Sequence, residues 1–171
     1  MELVNDRILA ELNLKDDLAF KLGDTLDVKA SIGMVVITFL GTETAYLLDK
    51  HVTGISHWLQ TGAVVALVIA TVASIVELWP RKYWMIEPEE STSSRAAELV
   101  EYFSKYEGEV QANVLSELTK NEIGWARQRI SANQSKNGEK AKYLDWAYKA
   151  TAAAFILNAA TLVIVWLTHP F

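Results

Sequence analysis

At 171 residues, 51% of them apolar and none of them cysteine, the chain is one domain-sized unit without a disulfide framework, a thiolate nucleophile or a cysteine metal site. Its net charge of −5, with no basic stripe, argues against nucleic acid as a main partner. The N-terminus is acidic and amphipathic rather than a basic segment leading into an apolar run, so no signal peptide is expected.

Residues 1–22 read as an amphipathic helix. Leu3/Val4, Ile8, Leu12, Leu18/Ala19 and Leu22 recur at spacings near three and four, while Glu2, Asp6, Arg7, Glu11, Lys15, Asp16 and Asp17 hold the other face. Interfacial membrane helices carry a polar face rich in Lys and Arg. This face is acidic, so the helix is expected to pack on the protein's own polar part. Gly23 is expected to end it, with Asp24-Thr25 as the N-cap of the next helix. Asp27 then falls in a first turn, where an acid suits the positive end of the helix dipole.

Residues 23–80 read as a hairpin of two membrane helices. The first arm, Ala30–Leu48, is interrupted by Glu43. The second, Trp58–Trp79, holds one formal charge, Glu77, near its end. It spans about 33 Å, enough for a hydrocarbon core of about 30 Å. Tryptophans mark both of its ends, and Pro80-Arg81-Lys82 stops it with two positive charges. Gly62, Ala66, Ala70 and Ser74 are spaced four apart and make a small-residue stripe that lets another helix approach closely. Lys29 is a cation at the start of a membrane helix, the wrong end for the dipole. It has three uses: snorkelling to headgroups, pairing with Asp27 or Glu77, or facing a pore.

Residues 81–149 turn polar. Tyr83 and Trp84 beside Arg81-Lys82 form an interface anchor. Ala96, Leu99/Val100, Phe103, Tyr106, Val110, Val114 and Leu118 keep a three-four rhythm, and Ile123, Ala126 and Ile130 share one face further on. The stretch NQSKNG, residues 133–138, has the composition of a turn, so a helical hairpin with a solvated charged face is expected, and a helix restarts at Glu139. Tyr143, Trp146, Tyr148 and three lysines lead into a third span, residues 150–171, whose charge-free part is about 27 Å long. Asn158 lies mid-span, as interhelical glue or as a pore-facing group. The fold class expected is an all-α membrane protein: three transmembrane helices, an N-terminal amphipathic helix and a cytosolic helical hairpin. Of the 16 Lys and Arg, only Lys50 lies between the first two spans. The positive-inside rule therefore puts the N-terminus and residues 81–149 in the cytoplasm and the C-terminus outside.

No catalytic constellation is present. His51, His57 and His169 lack the spacing of a metal site, no glycine-rich loop joins a strand to a helix, and Glu89-Glu90 lies in a polar linker. Neither an enzyme nor a metal is expected. What remains is charge within the spans, which at mid-span costs about 2.5–3.5 kcal/mol and usually faces a bundle interior or a water path. Lys29, Glu43 and Glu77 are therefore pore or gating candidates beside Asn158. Glu43 is equally accounted for at the outer interface, with the span ending near Gly41.

The stretch LGDTLDVKASIGMVV resembles the start of the membrane effectors of the Pycsar anti-phage systems, which place an acid, a spacer and Lys-Ala at the mouth of the first membrane helix, here Asp27-Val28-Lys29-Ala30. Pro80-Arg81, a polar helical region with Asn121, Arg127, Gln128 and Lys136, and the approach Lys142-Tyr143-Leu144-Asp145-Trp146-Ala147 are also similar, over roughly residues 22–168. The resemblance implies a homo-oligomeric protein of the bacterial inner membrane. It would impair that membrane when a cyclase makes a cyclic mononucleotide during infection. No cyclic-nucleotide-binding β-barrel is recognisable, so sensing would fall to residues 89–148, an oligomer interface there, or a separate sensor protein. Arg95, Arg127 and Arg129 are candidates to meet a phosphate, or helix-surface arginines with carboxylate neighbours. Two other classes stay open: a constitutive small ion channel, and a membrane scaffold that recruits a cytosolic partner through the heptads of residues 92–136.

Overall fold

A computed structural model describes residues 2–49, 54–79, 81, 83, 89–105 and 110–168. They form four helices: α1 (Glu2–Asp49), α2 (Ile55–Leu78), α3 (Glu89–Phe103) and α4 (Val110–Thr168). Three of these, α1, α2 and α4, are long and apolar enough to cross a membrane, so the chain is an all-α membrane protein with three candidate spans. It divides into two units, one of residues 1–22 and 81–136, the other of residues 23–80 and 137–171. The connection through Lys50, Pro80, Lys82, Trp84 and the C-terminal His169-Pro170-Phe171, singled out above as flanks or anchors, lie outside the described residues.

The unit of residues 23–80 and 137–171 contains the spans. Its inward positions follow one rhythm. On α1 the buried residues are Gly23, Leu26, Ala30, Gly33, Ile37, Leu40, Thr44 and Leu47, at alternating steps of three and four. On α2, Ser56, Gln60, Ala63, Leu67, Ala70, Ser74 and Glu77 keep the same steps. On α4, Asn137, Lys140, Leu144 and Ala147 open the pattern and Ala154, Asn158 and Thr161 continue it. A 3.5-residue repeat is that of helices wrapped around a shared seam. Ile37, Leu40, Ala66, Leu67, Ala70 and Ala154 form the central cluster, where alanine lets backbones approach. The outward faces are apolar: Ile32, Val35 and Phe39 on α1, Val65, Val68 and Val72 on α2, and Phe155, Ile156 and Val163 on α4 are all exposed. Polar residues inside and apolar residues outside suit hydrocarbon rather than water. Trp58, Trp79 and Trp166 are exposed at span ends, where indole sits well between lipid and water. Thr38, Thr42, Thr71 and Thr161 each donate to the carbonyl four residues back, which satisfies hydroxyls without a second helix. Gly54, before α2, adopts φ 64°, a conformation that favours glycine.

In the unit of residues 1–22 and 81–136, Arg129 Nε donates to Asp16 Oδ2 at 2.7 Å, and both side chains are almost fully buried. Phe20 lies against Tyr83, with ring centroids 5.7 Å apart, and Lys136 sits over the same Tyr83 ring. Ala19, Val114, Ala126 and Ile130 supply buried apolar positions. Lys15, hydrogen-bonded to Glu11, holds that carboxyl below its usual range. This exposed pair supports α1 above the ordinary carboxylate pKa and stops doing so as pH falls through the lowered one.

Three local expectations are corrected. Gly23 does not end a helix: α1 is continuous over Glu2–Asp49, and Gly23 is an inward position on it. Asp24-Thr25 is therefore no N-cap, and the first-turn account of Asp27 falls. The amphipathic face of residues 1–22 departs from expectation at three positions. Asp16 is buried, while Leu18 and Leu22 are exposed. Finally, residues 133–138 are no turn, and no helix restarts at Glu139. α4 runs unbroken through them, with Asn133 and Asn137 buried, and the polar region divides instead after Phe103. Val110, Val114 and Leu118 thus belong to α4 and not to the helix of Ala96 and Leu99.

Candidate functional site

The polar residues of the spanning unit's interior collect at two levels. At one, Lys140 Nζ donates to Asp27 Oδ1. The lysine side chain is 4% exposed and the aspartate 43%. Tyr148 donates its hydroxyl to the Lys29 carbonyl at 3.1 Å, so Lys29 is held through its backbone while its side chain stays exposed. Ala30, the next residue, is wholly buried beside Leu26 and Leu144, with Leu78 of α2 packed on the same cluster. Glu77, one position before Leu78, is fully buried.

At the other level, Asn158 Nδ2 donates to Thr44 Oγ1 at 2.8 Å, and Thr44 donates onward to the Leu40 carbonyl at 2.7 Å. Thr161, one turn beyond Asn158, is fully buried. On α2, Gln60 is 0% exposed, and neither its Oε1 nor its Nε2 finds a hydrogen-bond partner among the described residues. Ser74 Oγ, also buried, has none either. A double-mutant cycle on Thr44→Val and Asn158→Leu, read by thermal unfolding in detergent, is expected to return a coupling of about 0.6–1.7 kcal/mol. Strict additivity would mean that the bond is not made.

The candidates from sequence divide accordingly. Glu77 and Asn158 face inward, while Lys29 and Glu43 are exposed. Ala66, Ala70 and Ser74 are buried, and a Cβ at Gly62 would lie 3.2 Å from Leu157 of α4. The phosphate candidates are not assembled into one site. Arg95 pairs with Glu98 at 2.9 Å on its own helix, Arg129 is held by Asp16, and Arg127 is exposed on α4. Among the described residues, no group of three or more acidic or histidine side chains is placed to hold a metal. Sequence reasoning missed Asp16, Gln60, Thr44 and Lys140. Of these, only Gln60 carried a local signal, as an amide just inside the tryptophan that opens an apolar run.

Comparison with known proteins adds one match. The family model of the Pycsar effector protein domain matches residues 17–168, a stretch that takes in all of α2, α3 and α4 and most of α1. No curated protein and no solved structure matches the chain.

Proposed function

The chain belongs to the Pycsar effector protein family, the effectors of anti-phage cyclic-nucleotide signalling, and we propose that it acts by impairing the membrane that holds it. The observation that carries this reading is the inverted distribution of polarity. Buried Gln60, Ser74, Glu77, Asn158 and Thr161 lie inside a three-helix unit whose outer faces are apolar. Polar groups inside membrane spans are costly and usually serve a path for water or ions. In this reading the membrane is the bacterial inner membrane, and the lysine and arginine distribution supports an N-terminus and residues 81–149 on the cytoplasmic side. No chemical step is needed.

The trigger in this reading is a cyclic mononucleotide, bound by the cytoplasmic helices or by a separate sensor protein. For its phosphate to reach Arg129, Asp16 must release that guanidinium. A ligand shifts the resting state only by binding the active state better, and that exchange of partners provides such a difference. Exposed Glu43, set among exposed Val36, Phe39 and Tyr46, is unfavourable against lipid and favours a second copy on this face.

Liposomes holding the full chain, loaded with dye, test the reading. Leakage is expected with one cyclic mononucleotide and not without it. Leakage regardless of nucleotide would point to a constitutive channel, and none at all, with insertion verified, would turn the reading toward a scaffold or a separate sensor protein. Glu43→Leu is expected to insert normally but to change the oligomer seen by crosslinking. An unchanged oligomer would remove Glu43 from the contact between copies.

A further inference from the structure

We infer that the route through the membrane is the interior of the three-helix unit itself, polar at both ends and closed at rest by a short apolar barrier. The inference rests on the reading that this protein permeabilises membranes, and its test separates the two.

The register of the helices comes first. Asp27 meets Lys140 and Thr44 meets Asn158, so α1 and α4 run side by side in the same direction. Leu78 packs at the level of Leu26 and Ala30, and Ala66, Leu67 and Ala70 pack at the level of Ile37 and Leu40. α2 therefore runs the opposite way, and Gln60, beyond Ala66 in that direction, belongs to the Thr44–Asn158 end. Ser74 and Glu77 belong to the Asp27–Lys140 end.

Along the inward face of each helix the chemistry then changes at matching levels. On α2 it is polar at Gln60, apolar from Ala63 to Ala70, and polar again at Ser74. On α4, Lys140 and Asn158 bracket Leu144–Ala154, and on α1 the inward positions are apolar from Leu26 to Leu40 and turn polar at Thr44, with half-exposed Asp27 at the Lys140 end. The α2 barrier is about 10 Å long at 1.5 Å per residue, a third of a hydrocarbon core of about 30 Å. A packing core has no use for Gln60. A leucine there would fill similar space and leave no amide without hydrogen bonds. Water would supply those bonds as soon as the helices part, and the same is true of Ser74 Oγ. Polar mouths separated by a narrow apolar constriction form a gate that closes by dewetting. The Gln60 end is lined by neutral amides and hydroxyls and the other end carries Glu77 and Lys140, so the permeants are water and small inorganic ions.

The test uses the full chain in liposomes with an ion-flux readout. Leu67→Ser and Ala70→Ser put a hydroxyl into the barrier, and Val68→Ser puts the same group on the outward face of the same helix, where Val68 is exposed. Without any nucleotide, the two inward variants are expected to pass ions at least about tenfold faster than the outward one. Gln60→Leu lengthens the barrier and is expected to cut triggered flux by about tenfold or more, while the melting temperature rises. Ala70→Ser changes volume so little that it keeps the test valid should Leu67→Ser fail to fold. Equal flux through inward and outward variants, or normal triggered flux in Gln60→Leu, overturns the path. If the wild type stays closed under every cyclic mononucleotide, triggering fails, but the comparison of inward with outward serines needs no trigger and still decides the route.

Discussion

Asp27→Ala is expected to destabilise the protein by up to about 3–5 kcal/mol, whereas Lys140→Met is expected to cost about 1 kcal/mol or less. The two residues form one ion pair, but they are not equally placed. Lys140 is 4% exposed and Asp27 43%. Removing the aspartate takes a counter-charge from an ammonium whose stem is packed inside the unit. Removing the lysine leaves a carboxylate that already reaches polar surroundings, and methionine fills most of the vacated space. The double variant Asp27→Ala/Lys140→Met is expected to recover most of the loss. Thermal unfolding in detergent, followed by circular dichroism, measures all three. If Lys140→Met cost as much as Asp27→Ala, the ammonium would not be the buried partner.

Asp16 and Arg129 give the contrasting case. Their side chains are 8% and 10% exposed, so neither has a polar refuge when the other is removed. Asp16→Leu and Arg129→Met are each expected to cost about 3–5 kcal/mol, and the double variant is expected to return near the wild type, because a buried pair replaced by apolar groups of similar volume is often neutral. The coupling should thus be close to the sum of the two single losses, about 6–10 kcal/mol. An additive cycle would mean that the pair is solvated in solution.

The spans were legible because length and polarity decide what crosses hydrocarbon, and Trp58–Trp79 advertises both. Their inward faces were legible only in part. The stripe through Ala66, Ala70 and Ser74 showed in its spacing, but the pairs 27–140, 44–158 and 16–129 are separated by more than a hundred residues, and no local pattern encodes them. Residues 133–138 misled for a related reason. Their composition favours a turn, yet Asn133, Asn137 and Lys140 continue the inward rhythm of Ala126 and Ile130 with polar residues. A search for apolar periodicity does not register a polar seam, and tertiary packing overrides weak helix propensity there. Gly23 misled in the same way, because a glycine buried within a helix has the same sequence signature as one that ends a helix.

The Asp27–Lys140 pair also has an order in time. Its members are 113 residues apart, so at a synthesis rate of about 5–20 residues per second, Lys140 is made on the order of 10 s after Asp27. The partner that tolerates waiting is the one made first. Asp27 is half-exposed and can stand alone at the membrane surface while α2 and the polar helices are translated. The residue that must be buried arrives last and finds its counter-charge already in place, so the nascent protein need never hold an unpaired cation in its interior.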